Sequence, residues 1–143
     1  RTFIKPTQEE RESSVQLKLS VLKPVVRGKR IVLVDDSIVR GTTITNLIHM
    51  LKEAGAKEVH VRISSPPFLY PCYFGTDVPS NDQLIAASHS SEEICRMIGA
   101  DSLGYMQSSY LEGMVKGLPL CKACFDGKYP MEIPDQTEEY MDL

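Results

Sequence analysis

Ile31-Val32-Leu33-Val34 is a short, mostly β-branched run with no polar member. It predicts a strand buried on both faces, as a parallel sheet requires. A few residues on, the period changes. Ile44, Leu47, Ile48 and Leu51 fall at i, i+3, i+4 and i+7, which predicts a helix over 43–54 with one apolar face. Gly55 is a natural stop for it. Glu58 to Ile63 then alternates polar and apolar, the pattern of a second strand. Strand, helix and strand within about 30 residues form a βαβ unit with a right-handed crossover.

Downstream, residues 64–80 read as loop, punctuated by Pro66, Pro67, Pro71, Gly75 and Pro79. Two short helices follow. One starts after Ser80 and the other after Ser90, where Glu93 completes a capping box. Gly99 ends the second. Ser102 to Met106 predicts a third strand, and Ser108 or Ser109 opens a helix running to Lys116. Residues 1–29 are polar and irregular, with a capping box at Thr7 and Glu10 after Pro6. After Pro130 there are five acids and no base, so residues 131–143 read as a solvated tail. The expected fold class is α/β, a parallel sheet flanked by helices. Residues 1–29 lead in, 30–65 form the strand-helix-strand unit, and 66–130 carry the cysteines.

The composition narrows the function classes. A length of 143 residues suits about one domain. With 42% apolar and 24% charged residues, it excludes collagen, a coiled coil and wholesale disorder. No apolar run approaches the roughly 18 residues of a membrane span, and no signal peptide opens the chain. The start, Arg1-Thr2-Phe3-Ile4, lacks an initiator Met, as a fragment or processed product would. The formal charge of −3 is unevenly spread. Residues 1–62 hold twelve Lys/Arg against seven Asp/Glu, whereas residues 63–143 hold four against twelve. The basic front half suits an anionic small molecule. Its bases are scattered, without the basic tract and aromatic interleaving of a nucleic-acid binder.

Chemistry concentrates in Asp35-Asp36-Ser37-Ile38-Val39-Arg40-Gly41-Thr42-Thr43. Two adjacent acids stand at the carboxyl end of the first strand, where ligands of open α/β sheets bind. A short loop with Ser, Gly and two Thr leads into a helix N-terminus, which favours a phosphate. Arg40 adds a formal charge. Acids repel phosphate, so Asp35 and Asp36 are expected to accept from sugar hydroxyls and to hold Mg²⁺, directly or through water. Together these describe a ribose-5-phosphate site. A bare helix cap is the competing reading, but a cap needs neither two acids nor a Gly-Thr-Thr exit. A Walker loop is excluded, since no G-x-x-x-x-G-K-[ST] occurs. Four cysteines lie at 72, 95, 121 and 124. The spacing Cys121-Lys122-Ala123-Cys124 reads as metal, cluster or redox chemistry, with buried free thiols as the alternative. Cys95, beside Ile94 and Ile98, reads as core. His49, His60 and His89 lack a second ligand at metal spacing and read as structural.

Val32 to Thr43 resembles the phosphoribosylpyrophosphate (PRPP) signature of type I phosphoribosyltransferases. Arg1 to Gln8, Lys18-Leu19-Ser20, Ile63 to Pro67 and Ala123 to Pro130 extend the likeness to the glutamine PRPP amidotransferase family. The resemblance implies a cytoplasmic enzyme making 5-phosphoribosylamine from PRPP and glutamine-derived ammonia, the committing step of purine synthesis. It implies that Asp35 and Asp36 bind the ribose hydroxyls and Mg²⁺, and that Ser37 through Thr43 wrap the 5′-phosphate. Arg1 to about Glu12 resembles the end of the loop that closes over PRPP. Cys72, Cys121 and Cys124 match three ligands of the 4Fe–4S cluster carried by some members, with the fourth upstream. A homo-oligomer and purine nucleotides as feedback ligands are implied as well. The family's glutaminase domain starts with a Cys nucleophile, whereas residue 1 here is Arg and no glutaminase motif fits. The chain thus resembles the carboxyl-terminal portion, and alone it is expected to be inactive. Two rivals remain: a non-catalytic PRPP- or nucleotide-binding module, and a salvage phosphoribosyltransferase, which the cysteines and the Arg1–Ile4 segment disfavour.

Overall fold

The structure, a computed structural model, describes residues 20–76, 78 and 80–133. The Thr7 capping box, the expected closing loop and the tail beyond Ile133 lie outside the described residues.

A single helical turn, α1 (Lys23–Val26), precedes strand β1 (Arg30–Asp35). Helix α2 (Thr42–Glu53) leads to β2 (Glu58–Ile63). After a long loop come a 3₁₀ turn (Asn81–Gln83), α3 (Ile85–Ser88) and α4 (Ser91–Met97). Strand β3 (Ser102–Tyr105), α5 (Ser108–Met114) and α6 (Ala123–Asp126) complete the order. The sheet runs β1-β2-β3, all parallel, with Ile31 beside Val59 and Val61 beside Leu103.

One face of the sheet is closed. Ile44 and Ile48 of α2, Ile94 of α4 and Ile98 just past its end pack on Val59, Val61 and Ile63 of β2. Leu33, Leu47, Leu51, Leu103 and Tyr105 border this core. The i, i+3, i+4 pattern of α2 therefore does what its spacing predicts. The Ser90 hydroxyl accepts from the Glu93 N–H, and the Glu93 carboxylate accepts from the Ser90 N–H, so the expected capping box forms.

The expected two-sided burial of β1 does not hold. Its residues alternate, with Val32 63% and Val34 68% exposed. The helices packed in the core all contact the face carrying Leu33, Val59 and Val61, and nothing among the described residues covers the other. On β2 and β3 that second face is polar: His60 bridges Ser102 (2.9 Å) and Glu58 (2.9 Å), and Arg62 donates to Ser102 (3.0 Å). Cys95 also departs from expectation. It is only half buried, at the rim of a shallow groove with Glu92, Arg96 and Leu103. Ile94 and Ile98 share the inward face, and Cys95 stands about 100° around the helix from Ile94.

Candidate functional site

β1 ends at Asp35, and residues 36–41 leave the sheet as a loop before α2. The strand end is fixed by Ser64, whose N–H (3.0 Å) and hydroxyl (3.2 Å) both donate to the Asp35 carbonyl. The Asp35 carboxylate accepts the Asp36 N–H at 2.9 Å. Burial pushes Asp35 above its ordinary 3.8, and the Asp36 charge adds to this, while the Asp36 N–H opposes it. Such a carboxylate gains from a cation beside it. Asp36 is exposed, and its carboxylate accepts the Ser37 hydroxyl at 2.9 Å.

The loop is stitched down at alternate depths. Ile38, 3% exposed, enters the main core, whereas Val39 packs on a second cluster of Phe68, Val78 and Leu84. Their side chains are therefore committed to packing, and only their backbones are left to meet a ligand. Gly41 takes φ +85, and a Cβ there would stand 3.2 Å from Ile85 Cδ1. A left-handed residue under a close contact is a glycine position. The N–H groups of residues 37–44 find no backbone carbonyl acceptor among the described residues. The first turn of α2 holds no acid, and no side chain caps it. Such a row of free donors at the positive end of a helix suits an anion. The Ser65 and Tyr105 hydroxyls, just beyond the end of β2 and at the end of β3, are buried without a partner among the described residues. Burial pushes Tyr105 up to about 12.

The cysteines fall in a neighbouring region. Cys72 and Cys124 both border the Phe68–Val78–Leu84 cluster. The Cys124 carbonyl accepts the N–H groups of Leu69 (2.9 Å) and Tyr70 (3.1 Å), and Tyr129 donates to the Pro71 carbonyl (2.8 Å). The Cys121–Pro130 segment is thus tied to the loop around Cys72. Burial pushes the Cys72 thiol up, but backbone N–H groups of Phe74, Thr76 and Gly75 outweigh it and bring it below 9.0. Cys124 is pushed up by burial, then by the charges of Cys72 and Cys121. Cys121 is exposed. Cys124 thus stands near enough to Cys72 and Cys121 to be affected by their charge, yet among the described residues no three His, Cys, Asp or Glu side chains form a group able to hold a metal ion.

Residues 35–43 are thus brought into one continuous feature, and Cys72 and Cys124 into another. Sequence reasoning missed Gln83, Leu84 and Ile85, which brace the loop from a distant segment without any periodic signal. Residues 2–64 match the family model for the phosphoribosyl transferase domain. The amidophosphoribosyltransferase of Archaeoglobus fulgidus is 52% identical over 97% of this chain, and that of Pyrococcus horikoshii 57% over 91%. The solved glutamine PRPP amidotransferase from B. subtilis, complexed with ADP and GMP, aligns over 96% of the chain with a TM-score of 0.73 and 52% identity. The chain belongs to the amidophosphoribosyltransferase family. It spans less than a third of its amidophosphoribosyltransferase relatives, 31% of the A. fulgidus protein and 28% of the P. horikoshii one. The amidophosphoribosyltransferase likeness thus runs through the cysteine region as well as the 35–43 loop. No helix among the described residues is long and apolar enough to cross a membrane.

Proposed function

We propose that this chain supplies the ribose-5-phosphate half of the transferase site in a cytoplasmic enzyme making 5-phosphoribosylamine from PRPP and glutamine-derived ammonia. One observation carries the reading. Two carboxylates at a parallel-strand end run directly into a loop whose N–H groups, residues 37–44, have no backbone acceptor among the described residues. The loop amides and the start of α2 hold the 5′-phosphate, with Ser37, Thr42 and Thr43 adding hydroxyls. Asp35 and Asp36 accept from the ribose hydroxyls. That grip fixes C1 of the ribose, where the ammonia nitrogen bonds as the bond to pyrophosphate breaks. Asp35 and Asp36 also fit Mg²⁺ as hard oxygen donors, and the raised Asp35 carboxyl is relieved by a cation. Bound there, Mg²⁺ supplies charge neutralisation for the departing pyrophosphate.

Cys72, Cys121 and Cys124 are the ligands this chain would offer a 4Fe–4S cluster with a fourth ligand outside it, and binding would have to draw the three sulfurs closer than they stand among the described residues. The N–H groups around the Cys72 sulfur favour the thiolate that such a cluster takes. Its role is structural, reinforcing the tie that the Leu69 and Tyr70 N–H groups make to the Cys124 carbonyl and Tyr129 makes to Pro71. The reading also includes a glutaminase portion in the same enzyme, a homo-oligomer, and purine nucleotides as feedback ligands. The B. subtilis structure complexed with ADP and GMP supports the last of these.

The test is Asp35→Asn and Asp36→Asn in the full-length enzyme. Each is expected to cut PRPP-dependent turnover and leave glutamine hydrolysis largely intact. Unchanged turnover in both variants would refute the assignment.

A further inference from the structure

Three consecutive residues grip the phosphate loop from a segment some 40 positions downstream. The Gln83 carboxamide oxygen accepts from Arg40 Nη2. Leu84, 1% exposed, packs in the cluster that Val39 joins. Ile85 donates its N–H to the Val39 carbonyl at 2.9 Å, and its side chain covers Gly41. Residues 83–85 thereby meet residues 39–41 through a side-chain bond, an apolar contact and a backbone bond. The apolar and backbone contacts fix the loop's course. The Gln83 contact fixes a charge.

We infer that Gln83 is a positioning residue that holds the Arg40 guanidinium at the phosphate loop. The inference rests on the reading of residues 35–43 as the ribose-phosphate site. Arg40 is otherwise exposed, and no carboxylate of the described residues pairs with it. An unrestrained arginine samples many rotamers, so a fixed acceptor lowers the entropic cost of presenting it to an anion. Gln83 occupies one of the five N–H donors and leaves the charge uncancelled. The remaining donors are free for a phosphate oxygen. The place of Gln83 supports this role. It closes the 3₁₀ turn just before Leu84 and Ile85, so two packed residues anchor its backbone.

The experiment uses the full-length enzyme with Gln83→Leu, Gln83→Glu, Arg40→Gln, the Gln83→Leu/Arg40→Gln double variant, and Asp35→Asn and Asp36→Asn as the site controls. Steady-state kcat, KM for PRPP and the melting temperature are measured for each. Gln83→Leu is expected to raise KM for PRPP roughly fivefold, the equivalent of one lost hydrogen bond, with kcat and melting temperature little changed. Gln83→Glu keeps the acceptor but cancels the Arg40 charge, so KM for PRPP is expected to rise there as well. The double variant is no worse than Arg40→Gln alone, since Gln83 acts only through Arg40. An unchanged KM in Gln83→Leu, a loss confined to kcat or melting temperature, an unchanged KM in Gln83→Glu, or full additivity each overturns the inference. If Asp36→Asn impairs PRPP use and Gln83→Leu does not, only the Gln83 role falls. If Asp36→Asn and Asp35→Asn both leave PRPP use unchanged, the site reading falls and the inference with it.

Discussion

At the scale of single residues, Asp101 shows how one carboxylate sets a register. Its N–H donates to the Val59 carbonyl at 2.9 Å, and its carboxylate accepts the Val59 N–H at 2.7 Å. Val59 is fully buried, so that N–H has no recourse to water. The Val59 bond, helped by Lys52 at 3.5 Å, holds the Asp101 carboxyl below its ordinary 3.8, against a smaller opposing effect of burial. A lowered carboxylate contributes stability above its unfolded value and loses it as pH falls through the folded value. Asp101→Ala is therefore expected to cost about 1–3 kcal/mol at neutral pH, the penalty for an orphaned buried N–H. The same variant should lose less stability than the wild type below pH 3.8. Urea titrations across the acid range check both statements, and parallel wild-type and Asp101→Ala acid profiles would contradict the second. The phosphate loop repeats the lesson. Ile38 and Val39 belong to the motif by sequence, yet their side chains serve two different cores, so on the proposed reading the anion is left to the backbone.

At the scale of elements, α4 is the clearest case of local code. Ser90 and Glu93 reciprocate, and Ile94 and Ile98 seat the helix on the sheet. With seven residues the helix has little intrinsic stability, so its cap carries weight. Ser90→Ala is expected to destabilise the protein by about 1 kcal/mol and Ser90→Asp by much less, measured by thermal unfolding. Equal losses in both would mean that the cap contributes nothing beyond shape. β2, α2 and α4 were legible because their signals are local: alternation, a 3.6-residue period and a capping pair. The acids and the Gly-Thr-Thr exit were legible because the motif is contiguous. The covering of β1 was not, because Ile-Val-Leu-Val records apolarity and cannot record which layers lie over it. The turns Lys23–Val26 and Ala123–Asp126 were missed because four residues hold no period. The bracing of the loop by residues 83–85 was invisible for another reason. It joins an irregular stretch to a loop, and nothing in either spacing points to the other.

At the scale of the whole molecule, the two features singled out from the sequence share one small core. Phe68, Val78 and Leu84 are buried together, with Val39 of the phosphate loop on their border and Cys72, Cys124 and Phe125 also packed against them. The Phe68 and Phe125 rings stand 5.1 Å apart and lock the cysteine segment to this cluster. Leu84 is its most committed member from the bracing segment, with Gln83 and Ile85 on either side. A truncation there should therefore loosen both features at once, whereas an equal loss in the main core should not. Leu84→Ala is expected to cost about 2–5 kcal/mol, as buried leucines do. Ile94→Ala, 1% exposed in the main core, serves as the matched cavity. Amide hydrogen exchange well below both melting points separates them. Leu84→Ala should speed exchange at Leu69 and Tyr70, whose N–H groups reach the Cys124 carbonyl, and at Ile85, whose N–H reaches Val39. Ile94→Ala should instead speed exchange at Ile98 and Gly99 just after α4, and leave Leu69 and Tyr70 as they were. Coupling through the small core predicts that difference. If Leu84→Ala affects Ile85 alone, or if both variants accelerate the same amides, the phosphate loop and the cysteine region are held independently, and the shared cluster is only where they happen to meet.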